Sequence, residues 1–170
     1  MNTQAFFTPE EKKEFLFKYR KLLQSIHFSL QKDDVRKMRN LIQRTVSMDC
    51  YGRDKNGING LLRNINTALI ATSEIGLKRT PIIALLLYRT VLKKALTLEE
   101  IEKEFGPDVT LMISRLLKTS DLYARNTAVN SENFHHLLLS FAEDVRVILI
   151  MIADRLHMLR IGKQFKDNSD

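Results

Sequence analysis

Apolar positions recur at intervals of three and four along most of this chain, the spacing that gathers side chains on one face of an α-helix. Phe15, Tyr19, Leu22, Leu23, Ile26 and Leu30 form the first such stripe. It follows Thr8-Pro9-Glu10-Glu11, which supplies a capping hydroxyl, a proline for the first turn, and acids at the positive end of the helix dipole. Lys32-Asp33-Asp34 is predicted to cap a second helix carrying Val35, Met38, Leu41, Ile42, Thr45 and Val46. Asp49 to Asn59, with Gly52 and Gly57, reads as a loop. A third helix is predicted from about Gly60 to Glu74, ended by Gly76, and a fourth opens at Thr80-Pro81 and runs through Leu92. Thr97-Leu98-Glu99-Glu100 has the form of a capping box and heads a short helix that stops at Phe105-Gly106. Pro107-Asp108 starts another, Tyr123 to Asn130 reads as polar loop, and Asn130 to Arg160 reads as two helices or one bent one. Val145 to Ile152 has the branched composition of a strand. The helical spacing of Ile152, Leu156 and Leu159, and the lack of a second strand to pair with, favour helix. The expected fold class is all-α, about seven helices in one compact domain. Its N-terminal helices (1–50) pack on a core (51–163), and a polar tail follows (164–170).

Composition adds little to that picture and removes several alternatives. The 170 residues are 44% hydrophobic and 28% charged, with six Gly and three Pro, a globular mix with few helix breakers. The longest apolar run is Val147 to Ala153, far short of the ~20 residues of a membrane span. The first residues lack the basic-then-apolar order of a signal peptide. Cys50 is the only cysteine, which excludes an internal disulfide and fits a reducing compartment. Together these readings lead to the expectation of a cytoplasmic protein with no membrane contact. The net charge of +7 is spread thinly and never forms a basic run. It favours solvated helix faces over direct nucleic-acid binding.

One residue stands out against its surroundings. Asp154 follows nine mostly aliphatic positions, Val145 to Ala153, and a carboxylate there is costly to bury without a metal or counter-charge. It is either an exposed acid on an amphipathic helix or the remnant of a metal site.

Three segments bear on that choice. They are Thr97 to Val109 with Leu116-Leu117-Lys118, then Glu132-Asn133-Phe134 with Asp144 to Ile150, and finally Ala153-Asp154-Arg155-Leu156-His157-Met158-Leu159-Arg160. In order and spacing, from about Lys55 to Arg160, the chain resembles the N-terminal hydrolase domain of the RelA/SpoT homologues, the (p)ppGpp synthetase/hydrolase family of the bacterial stringent response. The resemblance implies an HD-domain-like helical bundle. It also implies a Mn²⁺-dependent removal of the 3′-pyrophosphate of (p)ppGpp, the ion being held by a histidine, a His-Asp pair and a distant Asp.

Carried over by position, that site is degenerate. The first histidine falls on Asn64, the His-Asp pair on Tyr88-Arg89, the acidic pair that follows on Leu92-Lys93, and only Asp154 remains a ligand. The family's asparagine four residues later is Met158, and its nucleotide loop falls on Lys55-Asn56-Gly57-Ile58-Asn59-Gly60-Leu61. A phenol and a guanidinium are not ordinary Mn²⁺ ligands, so no metal cofactor is expected. Arg89 is expected to lie against Asp154 and replace the ion's charge, and Tyr88 to fill the space left behind. Arg53, Lys55 and Arg63 read as solvated charges, and Arg53, Lys55, Asn56 and Met158 as residual nucleotide-loop positions. His135, His136 and His157 read as surface or boundary residues, and Cys50 as a buried thiol. The implied function is a catalytically inactive HD domain. It would serve as regulatory or structural partner of a (p)ppGpp synthetase (GTP pyrophosphokinase) domain that is not among these residues, in cis or through a second copy, with a guanine nucleotide as a further candidate ligand. An active Mn²⁺-dependent pyrophosphohydrolase and a basic nucleic-acid-binding protein are the competing readings.

Overall fold

The computed structural model describes residues 6–125, 135, 136, 139 and 143–167. They form seven α-helices: α1 (Pro9–Ile26), α2 (Asp34–Val46), α3 (Gly60–Ser73), α4 (Arg79–Leu92), α5 (Leu98–Phe105), α6 (Pro107–Arg125) and α7 (Val145–Asp167), with a 3₁₀ turn, His27–Ser29, after α1. His135, His136, Leu139 and Glu143 are also helical, and no described residue is in a strand. The all-α expectation therefore holds. No helix among the described residues is long and apolar enough to cross a membrane.

Two of the caps that fix the helix starts are those the sequence announces. Thr8 and Glu11 close a capping box on α1, and Thr97 and Glu100 one on α5. The second cap differs from expectation. Asp33 adopts a left-handed conformation (φ 68°) and its side chain caps nothing. Asp34 turns back instead, accepting from the Gln31 amide at 2.7 Å. α6 runs to Arg125, so Tyr123–Arg125 are helical rather than loop, while residues 126–130 lie outside the described residues. α7 continues through Asp167, into what composition marks as tail.

α4 is the axis of the core. Ile82, Ile83, Leu86 and Leu87 are fully buried and Leu85 nearly so, because α4 is covered by α3, α6 and α7 with α2 at one end. Each such side chain contributes roughly 1.5–3 kcal/mol on burial. α3 lies between α1, α4 and α7, and it buries Leu61, Ile65 and Ala68. The axis thereby brings the middle of α3, the C-terminal half of α4 and the middle of α7 together.

The loop before α3 sets that helix's start. Asp54 Oδ1 accepts from the Asn56 and Ile58 amides at 2.8 and 3.0 Å, and Gly57 supplies the left-handed residue between them (φ 77°). At Gly60 a Cβ would lie 2.9 Å from the carbonyl oxygens of Tyr51 and Gly52, so only glycine lets the loop press against the helix. Asn59 Oδ1 then accepts from the amides of Leu61 and Leu62 at 2.9 and 3.2 Å. This places Arg63 at the first turn of α3, facing α7.

A buried ion pair ties α2 to α4. Arg79 Nε and Nη2 donate to Asp34 Oδ2 and Oδ1 at 2.6 and 2.9 Å, with side-chain exposures of 10% and 2%. It clamps α2 to the start of α4. Arg79→Met is expected to strand a buried carboxylate and destabilise the fold by about 3–5 kcal/mol in urea denaturation. A loss below about 1 kcal/mol would mean that the pair does not hold α2 in place.

Candidate functional site

Asp154 projects from the middle of α7 toward α3, and three donors meet it. Arg63 Nε donates to Oδ1 at 2.8 Å and Nη2 to Oδ2 at 2.6 Å, a bidentate clamp. Thr67 Oγ1, one turn further along α3, donates to Oδ1 at 3.3 Å. Burial alone would raise the Asp154 pKa. The Arg63 hydrogen bonds and charge, with the Thr67 hydroxyl, more than offset this and hold it below the usual carboxylate range. Asp54, in the loop before α3, flanks the outer side of the same guanidinium, 3.6 Å from Nη1.

The expected partner was a different arginine. Arg89 makes no hydrogen bond to Asp154, and its Nε is buried without any partner. Arg63, read from sequence as a solvated charge, takes the position instead. The reason is helical phase: Arg63 and Thr67 are one turn apart on the same face of α3, and that face packs on α7. Residue spacing in α3 carried this signal once α3 was paired with α7.

The other projected positions scatter. Asn64 is buried, its Nδ2 donating to the Leu85 carbonyl at 3.3 Å, which ties α3 to α4. Tyr88 is partly buried and lines a cavity of about 510 Å³ together with Arg63, Asn64, Arg89 and Asp154, so it borders the space rather than filling it. Leu92 is 53% exposed and Lys93 is exposed; both stand at the surface end of α4. Arg53 grips Glu11 with both nitrogens at 2.7 Å and donates to the Gly57 carbonyl at 2.8 Å, so its charge is spent in binding the loop to α1. Lys55 and Asn56 are exposed, and Met158 is half-buried. His135 and His136 are exposed as expected, and Cys50 is a buried free thiol.

Asp144 stands in the sequence only as part of a longer segment. It is buried and accepts from Arg115 Nη1 at 2.9 Å and from the Arg146 amide, Nε and Nη2 at 3.0, 3.0 and 2.7 Å. The hydrogen bonds from Arg146 lead the forces that bring its pKa down to about 2. It caps α7, ties it to α6, and so fixes where along α3 Asp154 falls.

Comparison with known proteins completes the assignment. A family model described as HD domain matches residues 39–169. The chain belongs to the HD domain family. This HD domain is 39% identical over 98 residues to the GTP pyrophosphokinase rsh of Brucella ovis, covering 56% of this chain and 13% of that protein. It is 34% identical over 113 residues to the guanosine-3′,5′-bis(diphosphate) 3′-pyrophosphohydrolase of Aquifex aeolicus, covering 66% of this chain and 16% of that one. The chain thus spans less than a fifth of either relative. These matches place the domain with the RelA/SpoT family, as the three sequence segments implied. No solved structure matches.

The HD domain's donor set does not suit a catalytic metal. Among the described residues no three His, Cys, Asp or Glu side chains gather where an ion could bind. The positions that would hold Mn²⁺ present an amide already bonded to a backbone carbonyl, a phenol, a guanidinium, and a carboxylate with both oxygens engaged. A guanidinium offers no lone pair to a cation and repels it. The residues present do not fit the ion.

His157, one turn beyond Asp154, is buried with its Nε2 unpartnered. Burial lowers its pKa, only partly opposed by the Asp154 charge.

Two outcomes follow for the pair and the ring. In a double-mutant cycle of Arg63→Leu and Asp154→Leu, the coupling is expected at about 1–2 kcal/mol, between the values for exposed and buried pairs. Coupling near zero would mean that the clamp is ornamental. For His157, the unfolded chain titrates near pH ~6.5 and the folded ring at a lower pH. Unfolding therefore takes up a proton in that window, and stability is expected to fall as pH drops below ~6.5. His157→Gln should flatten this slope, and an unchanged slope would assign the effect elsewhere.

Proposed function

We propose that this HD domain is catalytically silent and acts as a regulatory and structural partner of a (p)ppGpp synthetase domain, attached in cis or reached through a second copy, in a reducing cytoplasm. The observation that carries the reading is the bidentate clamp of Arg63 on Asp154. The one acid left of the ligand set has both oxygens committed to a side-chain cation. That cation performs the electrostatic task of a metal, neutralising a half-buried carboxylate and joining α3 to α7, without the metal's ability to polarise a phosphoryl group or to acidify a bound water. Leu92 and Lys93, where the family resemblance places acids, offer no carboxylate. The GTP pyrophosphokinase name of the Brucella relative supports a synthetase as the domain served, and guanine nucleotides as the metabolism concerned.

A second reading, an active pyrophosphohydrolase, is favoured by the name of the Aquifex relative. It requires ligands from outside the projected positions. The separating experiment incubates the purified chain with guanosine-3′,5′-bis(diphosphate) and Mn²⁺ and follows pyrophosphate release. No release above a no-protein control is expected. Release that depends on Mn²⁺ and is abolished by a chelator would replace the silent reading with the active one.

A further inference from the structure

The outer face of α1 carries apolar side chains into solvent, with cations around them. Leu22 and Ile26 turn the other side of the helix into the bundle, where it packs on α3. Opposite them, Lys13, Phe17, Arg20 and Gln24 follow at intervals of four, three and four and so share one face. All four are exposed. Phe17 is 69% exposed and its neighbour Leu16 45%. The face runs on into the 3₁₀ turn, where Phe28 stands wholly in solvent and meets the His27 ring edge to face at 5.4 Å. A single exposed apolar residue is ordinary. Two phenylalanines and a leucine on one helix and its terminal turn make a patch.

The charge around that patch has one sign. From Phe15 to Lys32 the chain contains no carboxylate and four Lys or Arg. Lys18 is taken up by Glu14 and Asn66. Lys13, Arg20, Lys21 and Lys32 are exposed and have no ion-pair partner among the described residues. α2 adds Arg39, which is exposed and whose charge reaches the Tyr19 hydroxyl on α1.

Cations around exposed aromatics suit an acidic protein, a single-stranded nucleic acid or an anionic lipid surface. Shape separates them. A partner helix lies in a groove, and successive bases stack along a groove lined with aromatics. Leu16, Phe17 and Phe28 instead stand out from a helix surface and a turn. A bilayer interface is deformable. It takes protruding rings among its acyl chains while Lys and Arg stay at the headgroups, their stems lying along the apolar side chains. Such contact needs no membrane span, so it falls outside the run-length reasoning that led to the expectation of no membrane contact.

We propose that the outer face of α1 and the turn after it form a peripheral docking surface for an anionic lipid bilayer. Phe17 and Phe28 enter the interface, and Lys13, Arg20, Lys21 and Lys32 lie against acidic headgroups, each strengthening partitioning about fivefold. α1 precedes residues 39–169, which the family model matches, and the surface is independent of whether the domain is catalytically silent.

The test sediments the whole chain with vesicles of equal parts phosphatidylglycerol and phosphatidylcholine, and with vesicles of phosphatidylcholine alone. The chain is expected to pellet with the first and not the second, and less so as salt rises. Pelleting with both alike, or with neither, would overturn the proposal. Arg20→Glu combined with Lys21→Glu is expected to weaken binding at least about tenfold. Lys103→Glu combined with Lys163→Glu, at exposed positions on α5 and α7, is expected to change it less than about twofold. Equal losses from the two pairs would assign the binding to net charge and overturn the face. The chain has no tryptophan, so Phe28→Trp adds a single indole on an exposed turn and leaves the core untouched. Its emission is expected to shift to the blue with the phosphatidylglycerol vesicles, and an unmoved emission would overturn insertion whatever the charge variants do. Polyglutamate and a single-stranded oligoribonucleotide serve as competitors. Release from the vesicles by either, at charge concentrations below that of the lipid, would reassign the face to an acidic protein or RNA.

Discussion

A carboxylate in the middle of α7 has to be neutralised before that helix can pack. Val147, Ile150 and Ala153 bury the side of α7 that faces the bundle, and Asp154 follows directly after them. Left bare, it would carry its desolvation cost into the α3–α7 contact. Arg63 removes that cost with two short, parallel hydrogen bonds. The geometry of the candidate site follows from this one clamp. It orients Asp154 toward α3, occupies the oxygens a metal would need, and leaves the cavity beyond with arginines in excess.

The clamp depends on supports at both ends. On the α3 side, the Asp54 turn, the glycine at position 60 and the Asn59 cap determine where the helix begins, and so which residue of its first turn faces α7. On the α7 side, Asp144 is held by Arg115 and Arg146 and fixes the axial position of everything that follows. Buried α4 connects the two, with Asn64 reaching across to the Leu85 carbonyl. Packing and capping thus hold the helices that frame the site.

Much of the fold was legible in the sequence because helices declare themselves locally. Capping boxes at Thr8 and Thr97, glycines at 76 and 106, and three-four spacing of apolar residues are all read within a few positions. The misreadings at Asp33 and Tyr123 are end effects, where a carboxylate can cap from more than one residue and a helix can run one turn further than its polarity suggests. The candidate site was legible only in outline. Asp154 announced itself through its apolar surroundings, and the phenol and guanidinium at Tyr88 and Arg89 are read directly from the sequence. The choice between Arg63 and Arg89 was not, since it turns on which faces of α3 and α4 meet α7, a tertiary fact that no local pattern contains. Arg89's unpartnered Nε is of the same kind, because an orphaned donor exists only once its neighbours are in place.

The most direct test of the clamp is a crystal structure of the chain grown with excess Mn²⁺, with anomalous scattering collected near the manganese edge. The account predicts Arg63 bidentate on both oxygens of Asp154 and no anomalous peak between α3, α4 and α7. A manganese peak within coordinating distance of Asp154, with the Arg63 side chain swung away, would contradict it.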